Sequence, residues 1–169
     1  PASIAGAVAQ ALSEVIAGLI YVNAMKPGHP CICGTWPFVS DLRTGAMSGG
    51  SGEQGLLTAA CAQMLQYYDL PGGAAAGMAD AKMPDAQSGY EKGSTLVMAG
   101  LSGLNMVYEA AGMHASLLGF CLDSLIIDND MLGQCLRCVR GIEVNEQTLA
   151  VQVMKDICMG GPGHYLGHD

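Results

Sequence analysis

The 169 residues predict an α/β fold built on parallel strands. Three observations lead there. Short β-prone runs alternate with longer stretches of helical periodicity, the pattern of successive βα units. Hydrophobic residues make up 50% and charged residues only 13%, with 24 glycines. Such a composition suits helices packed closely on a sheet. Finally, residues 72–92, GGAAAGMADAKMPDAQSGYEK, contain one whole βα step. Gly73 to Gly77 is a small-residue run of the length of a strand buried on both faces. A polar loop with Asp80 and Lys82 follows, and Pro84-Asp85 opens a helix that Asp85 can cap. In parallel α/β folds, ligands bind at the loops after the strands' C-terminal ends. Asp80 and Lys82 stand there, either as functional groups or as a surface ion pair.

Residues 4–22 are mostly apolar and long enough to resemble a membrane span. Ser13 and Glu14 sit in the middle, and a central acid is costly in lipid. No basic segment precedes the run, so it is not a signal peptide. The expectation is a buried helix over roughly 4–18, with no membrane partner. Residues 19–24 (LIYVNA) then read as a strand, ended by Lys26-Pro27-Gly28-His29-Pro30. Residues 31–50 read as a long loop holding the only Trp, and a connection this long is usually functional.

Ser51 caps a helix with Gln54 at the capping-box position, and Leu57, Cys61, Met64 and Tyr68 form its buried stripe. The central βα step follows, its helix running to about Gly103. Residues 105–109 (NMVYE) form the next strand and 110–114 its loop. Residues 122–140 are helical, with Leu125, Leu132, Leu136 and Val139 on one face and Gly141 as the stop. Asn145 caps a last helix, with Leu149, Val153 and Ile157 inward. The order α, β, α, β, α, β, α, α contains three strands, which do not easily make a covered parallel sheet. A complete (β/α)8 barrel takes about 250 residues, and the chain stops at His168-Asp169 after a polar loop. Part of a larger barrel is the expectation.

The net charge of −8 and seven scattered Lys and Arg argue against nucleic acid as a partner. Seven cysteines, an odd number set in apolar patterns, read as reduced, buried thiols of a cytoplasmic protein. Gly50-Ser-Gly52-Glu-Gln-Gly55 matches a dinucleotide fingerprint, but no strand leads into it, and Glu53 puts negative charge where pyrophosphate must sit. Cys31-x-Cys33, Cys135-x2-Cys138 and His164-x3-His168 could suggest zinc. Buried thiols and loop histidines explain them as well, and no metal site is expected. Asp128-Asn-Asp130 reads as a solvated or capping helix turn. Trp36 and Phe38 in the long loop, with Tyr108 beside Glu109 at a strand end, have the makings of a quaternary-ammonium site by cation–π attraction. Ordinary packing under a long loop is the alternative.

Five runs then carry a family resemblance: residues 34–52 (GTWPFVSDLRTGAMSGGSG), 77–92 (GMADAKMPDAQSGYEK), 107–113 (VYEAAGM), 126–131 (IIDNDM) and 160–168 (GGPGHYLGH). In these, the chain resembles the trimethylamine methyltransferase family, which includes glycine betaine:corrinoid methyltransferases. The resemblance implies a TIM barrel, of which residues 1–169 would be the C-terminal part. It implies methyl transfer from an amine to the cob(I)alamin of a corrinoid protein, the corrinoid being presented by that partner. In the trimethylamine enzymes the loop similar to residues 77–82 carries pyrrolysine, and Met78 stands at that position. This departure points to the branch lacking pyrrolysine, with quaternary amines such as glycine betaine as substrates. Asp80 and Glu109 are then the expected catalytic residues. Trp36, Phe38, Met78 and Tyr108 would surround the substrate, and Arg43 or Lys82 would hold a betaine carboxylate. The six residues Trp36, Phe38, Met78, Asp80, Tyr108 and Glu109 are expected to line one cavity. A homo-oligomer is expected at full length. A barrel module that only binds betaine-like ligands, and a zinc-dependent methyltransferase or hydrolase, are the other function classes considered.

Overall fold

A computed structural model of the chain describes residues 2–166. Its elements are, in chain order, α1 (Ile4–Met25), β1 (Cys33–Thr35), β2 (Val39–Ser40), β3 (Met47–Ser48), α2 (Gly52–Tyr67), β4 (Gly72–Ala75), α3 (Ala86–Leu101), β5 (Met106–Tyr108), β6 (Met113–His114), β7 (Gly119–Phe120), α4 (Leu122–Arg140), α5 (Glu146–Leu149) and α6 (Val151–Cys158). The chain divides into two compact units, Pro1–Val139 and Arg140–Asp169.

The first unit is mixed α/β around a parallel sheet in the order β1-β4-β5. Thr35 pairs with Ala74, and Ala75 with Tyr108, so all three strands end at the same edge. β4 is buried along its whole length. Its Gly-Gly-Ala-Ala sequence leaves room for close neighbours: a Cβ on Gly72 would come within 2.9 Å of the Leu65 side chain of α2. α2 packs on α3, β1 and β4. Ser51 caps α2 by accepting from the Gln54 amide, and Asp85 caps α3 by accepting from the Ser88 amide, both as the sequence predicts. Ala76, Leu96, Ala99 and Cys135 form the core beneath the sheet's C-terminal edge. Two short antiparallel hairpins, β2–β3 and β6–β7, stand beyond that edge.

Several expectations are corrected. Residues 19–24 are not a strand but the last turns of α1. Once a helix is nucleated, each further residue adds a hydrogen bond at little cost, and nothing breaks the run before Pro27-Gly28. The first strand is instead Cys33–Thr35, inside the expected loop, and is too short to show a period. α1 is also not a buried helix: of its residues only Ala11 is buried. It is apolar nearly all round, so packing on α2 and β1 covers one side and leaves Ile20, Tyr21 and Met25 exposed. By length and composition it could cross a membrane, with a mean hydropathy of 1.6.

In α2 the buried stripe is Leu57, Thr58, Cys61 and Leu65, and Tyr68 is exposed. In α4 the buried residues are Ser124, Asp128 and Cys135. Leu125, Leu136 and Val139 are exposed, and only Leu132 of the expected face packs on the core. Of the seven free cysteines, Cys33, Cys61 and Cys135 are buried, as expected, whereas Cys138 and Cys158 are exposed. In the second unit Asn145 forms a capping box with Thr148. The expected single helix is broken at Ala150, whose φ of 48° is left-handed. Ile157 is buried there and Leu149 is exposed.

Candidate active site

Because the three strands are parallel and in register, the segments after β1, β4 and β5 emerge side by side. These segments hold most of the candidate residues. After β1 come Trp36 and Phe38, their rings 5.4 Å apart edge to face. Trp36 also stacks on Tyr108, the last residue of β5, at 5.8 Å and 13°. Two glycines make that stack possible. A Cβ on Gly34 would lie 2.7 Å from the Tyr108 hydroxyl, and one on Gly73 would lie 3.0 Å from the same ring. The phenol therefore lies over Gly34 and Gly73, and a side chain at either position would press on it.

Glu109 follows Tyr108 with a φ of 64°, left-handed for a side chain that disfavours it. Its Oε2 is buried without a hydrogen-bond partner, and burial pushes its carboxyl above the usual range. Backbone strain together with an unsatisfied, desolvated carboxylate is the combination that functional sites retain.

The loop after β4 forms a second cluster. Asp80 Oδ1 accepts from the Gly49 amide at 2.8 Å and the Gly50 amide at 3.3 Å, and Oδ2 accepts from the Ser48 hydroxyl. The Ser116 hydroxyl accepts from the Gly49 amide at 2.7 Å and lies 3.1 Å from Asp80 Oδ1. Asp80 thus draws the β3–α2 connection and the β6–β7 hairpin onto its own loop. Of the Gly50–Gly55 fingerprint, the first amide, that of Gly50, is thus turned to a carboxylate. From the other side Glu91 of α3 accepts from the amides of Asp80 at 2.7 Å and Ala81 at 3.2 Å.

Met78 is fully buried, and a Cβ on Gly49 would lie 3.0 Å from it. It lies beneath the β3–α2 connection. Lys82 is exposed and donates to the Asp80 carbonyl. Arg43, at the β2–β3 tip, is exposed and pairs with Asp41 at 3.1 Å, which holds the Asp41 carboxyl below the usual range.

The structure does not gather all these residues into one cavity. Trp36 and Phe38 line a cavity of about 350 Å³ with α1. Asp80, Lys82 and Arg43 line a cleft of about 900 Å³ between the two hairpins. Among the described residues no three His, Cys, Asp or Glu come together as metal ligands. His168, one of the histidines considered for zinc, lies outside them.

Sequence reasoning missed a buried network under the same loops. Lys92 Nζ of α3, completely buried, meets Asp128 Oδ2 of α4 at 2.5 Å. Asp128 Oδ2 also accepts from the Gly112 amide at 2.7 Å. His114 Nε2 lies 2.6 Å from the Ser124 hydroxyl and Nδ1 lies 3.2 Å from the Ala81 carbonyl. A carbonyl only accepts, so Nδ1 carries a hydrogen and donates it to Ala81. Asp128 is therefore a buried ion-pair partner, not a solvated helix turn. A signal was present: Lys92, Leu96 and Ala99 share one helical face, so a lysine stood in an apolar stripe.

The trimethylamine methyltransferase (MTTB) family model matches residues 1–169. The chain is 35% identical over 166 residues to glycine betaine methyltransferase of Desulfitobacterium hafniense (strain Y51), covering 98% of this chain and 34% of that protein. It is 36% identical over 160 residues to trimethylamine methyltransferase MttB of Methanosarcina barkeri (strain Fusaro / DSM 804), covering 95% and 32%. It is 32% identical over 167 residues to MttB of D. hafniense (strain DSM 10664 / DCB-2), covering 99% and 33%. The chain spans about a third of the length of these relatives. With a match over its whole length, strands of one direction and the loops of the matching runs gathered at one edge, this chain belongs to the trimethylamine methyltransferase family.

Proposed function

We propose that this chain is part of a TIM-barrel methyltransferase that moves a methyl group from a quaternary amine, such as glycine betaine, to the cob(I)alamin of a partner corrinoid protein. One observation carries the reading within the family: the Trp36–Phe38–Tyr108 cluster stands at the C-terminal edge of parallel strands, and the residue that follows Tyr108 is Glu109, whose buried Oε2 has no partner. Ring faces attract an ammonium that has no N–H to donate, and a desolvated carboxylate adds the opposite charge. In the reaction the C–N pair stays on nitrogen and the amine leaves neutral, so no general acid is needed. Cobalt(I) supplies the pair for the new bond to carbon. The protein holds one methyl in line and keeps water out.

Asp80 acts in this scheme by fixing its loop, and Met78 by packing beneath it. Arg43 and Lys82 line the other cleft, apart from the Trp36–Phe38 cavity, so neither is assigned to the carboxylate of a betaine held at these rings. The test is a panel of methylated amines given to the full-length protein with free cob(I)alamin, read by the cobalamin absorbance. Demethylation of glycine betaine, with trimethylamine a poor substrate, is expected. Preference for trimethylamine would contradict the quaternary assignment. Amine binding without any methyl transfer would fit a ligand-binding module instead.

A further inference from the structure

α1 contains one charged residue in 22, Glu14. An acid in the middle of so apolar a helix calls for an explanation, and its surroundings supply one. The cavity of about 350 Å³ at the C-terminal end of β1 is lined by Trp36 and Phe38 on one side and by Gln10 and Glu14 of α1 on the other. No Lys, Arg or His is among its lining residues. The Glu14 carboxylate accepts from Gln10 Nε2 at 2.8 Å, a neutral donor that leaves its charge uncompensated. Trp36 has one ring face against Tyr108, and it also borders this cavity.

We propose that Glu14 is a specificity-determining residue: with Trp36 and Phe38 it forms the subsite that takes the methylated ammonium head of the substrate. The charge of the cavity selects a cation. Its aromatic walls offer ring faces instead of hydrogen-bond acceptors, which favours methyl groups over N–H groups. Its volume is within the range of small-ligand sites. The inference takes its ligand class from the function proposed above and adds a carboxylate from an element outside the sheet.

Trp36 is the only tryptophan of the 169 residues, so it reports on its own cavity. The full chain is titrated with tetramethylammonium and, separately, with 3,3-dimethylbutan-1-ol, a neutral molecule of similar shape, while indole fluorescence is followed. Saturable change with the cation is expected, and weaker binding of the alcohol. Glu14→Gln should raise the Kd for tetramethylammonium about five-fold, the size of an exposed charge pair, and leave the alcohol's unchanged. Glu146→Gln, the same charge change in the second unit, should leave both at wild-type values. Glu14 is exposed, so its replacement leaves the core intact, and unchanged circular dichroism checks this. Unaltered cation affinity in Glu14→Gln, or no saturable response of Trp36, would overturn the inference. If the full-length protein still demethylated glycine betaine in either case, the proposed function would stand and this subsite alone would fall. A cation-selective, Glu14-dependent response without methyl transfer would keep the subsite and remove the reaction.

Discussion

Glu109 combines a left-handed backbone, a buried oxygen without a partner and a carboxyl pushed upward by desolvation. The direction of that shift sets a pH dependence. The fold favours the neutral carboxyl, so Glu109's contribution to stability is complete below the ordinary carboxylate pKa. It is lost as pH rises through the higher value in the folded protein. Glu109→Gln keeps the shape and removes the titration. Relative to wild type, the variant should gain stability as pH rises through the ordinary carboxylate range and above it. Urea denaturation at several pH values measures this, and parallel curves for the two proteins would show that Glu109 is not desolvated. A bound cation should draw the carboxyl back down, so amine affinity should rise with pH in wild type and stay flat in the variant. The same substitution should weaken substrate binding by about 2–5 kcal/mol if the carboxylate faces a desolvated cation.

At the scale of elements, α3 holds the site from below through two neighbouring residues. Glu91 binds the amides of the β4 loop, and Lys92 reaches across to Asp128 of α4. That pair ties α3 to α4, and through the Gly112 amide it also ties in the segment after β5. Lys92→Met would leave Asp128 charged and buried without its cation. A destabilisation of about 3–5 kcal/mol is expected, the range for breaking one side of a buried pair. Adding Asp128→Leu should recover part of this, because two apolar side chains leave no orphan charge. Recovery should be incomplete, since the Gly112 amide then loses its acceptor, at about 1–3 kcal/mol. Chemical denaturation of the two variants measures both steps. A single variant as stable as wild type would mean that the pair does not hold these helices together.

At the scale of the molecule, the sheet order β1-β4-β5 leaves one side of β1 and one of β5 without a strand partner among the described residues. Large apolar side chains are exposed as well, including Ile20, Tyr21, Leu42, Leu118 and Leu166. Unpaired strand edges and exposed apolar surface both promote association. The 169-residue chain alone is expected to self-associate, measured by sedimentation velocity over a range of concentration. A monodisperse monomer with a sharp cooperative melt would sink this expectation. In a longer chain that completed the proposed barrel, the same surfaces would be covered.

Local chemistry was legible from the sequence because it acts over a few residues. Ser51, Asp85 and Asn145 announced their helix starts by side chains that reach amides three residues on. The alternation of strand and helix announced parallel strands with Met78, Asp80 and Glu109 after or near their ends. Only the tertiary structure decided the rest. Three-residue strands such as Cys33–Thr35 acquire their identity from a partner far along the chain, so no local period marks them. Charge also misled: Asp128 alone reads as a solvated helix turn, and its partner Lys92 stands 36 residues away. Their burial is favourable only once the fold brings them together, because a buried charge is tolerated when its counter-ion is buried with it. The same holds for Glu14, whose place in an apolar helix is intelligible only beside Trp36 and Phe38.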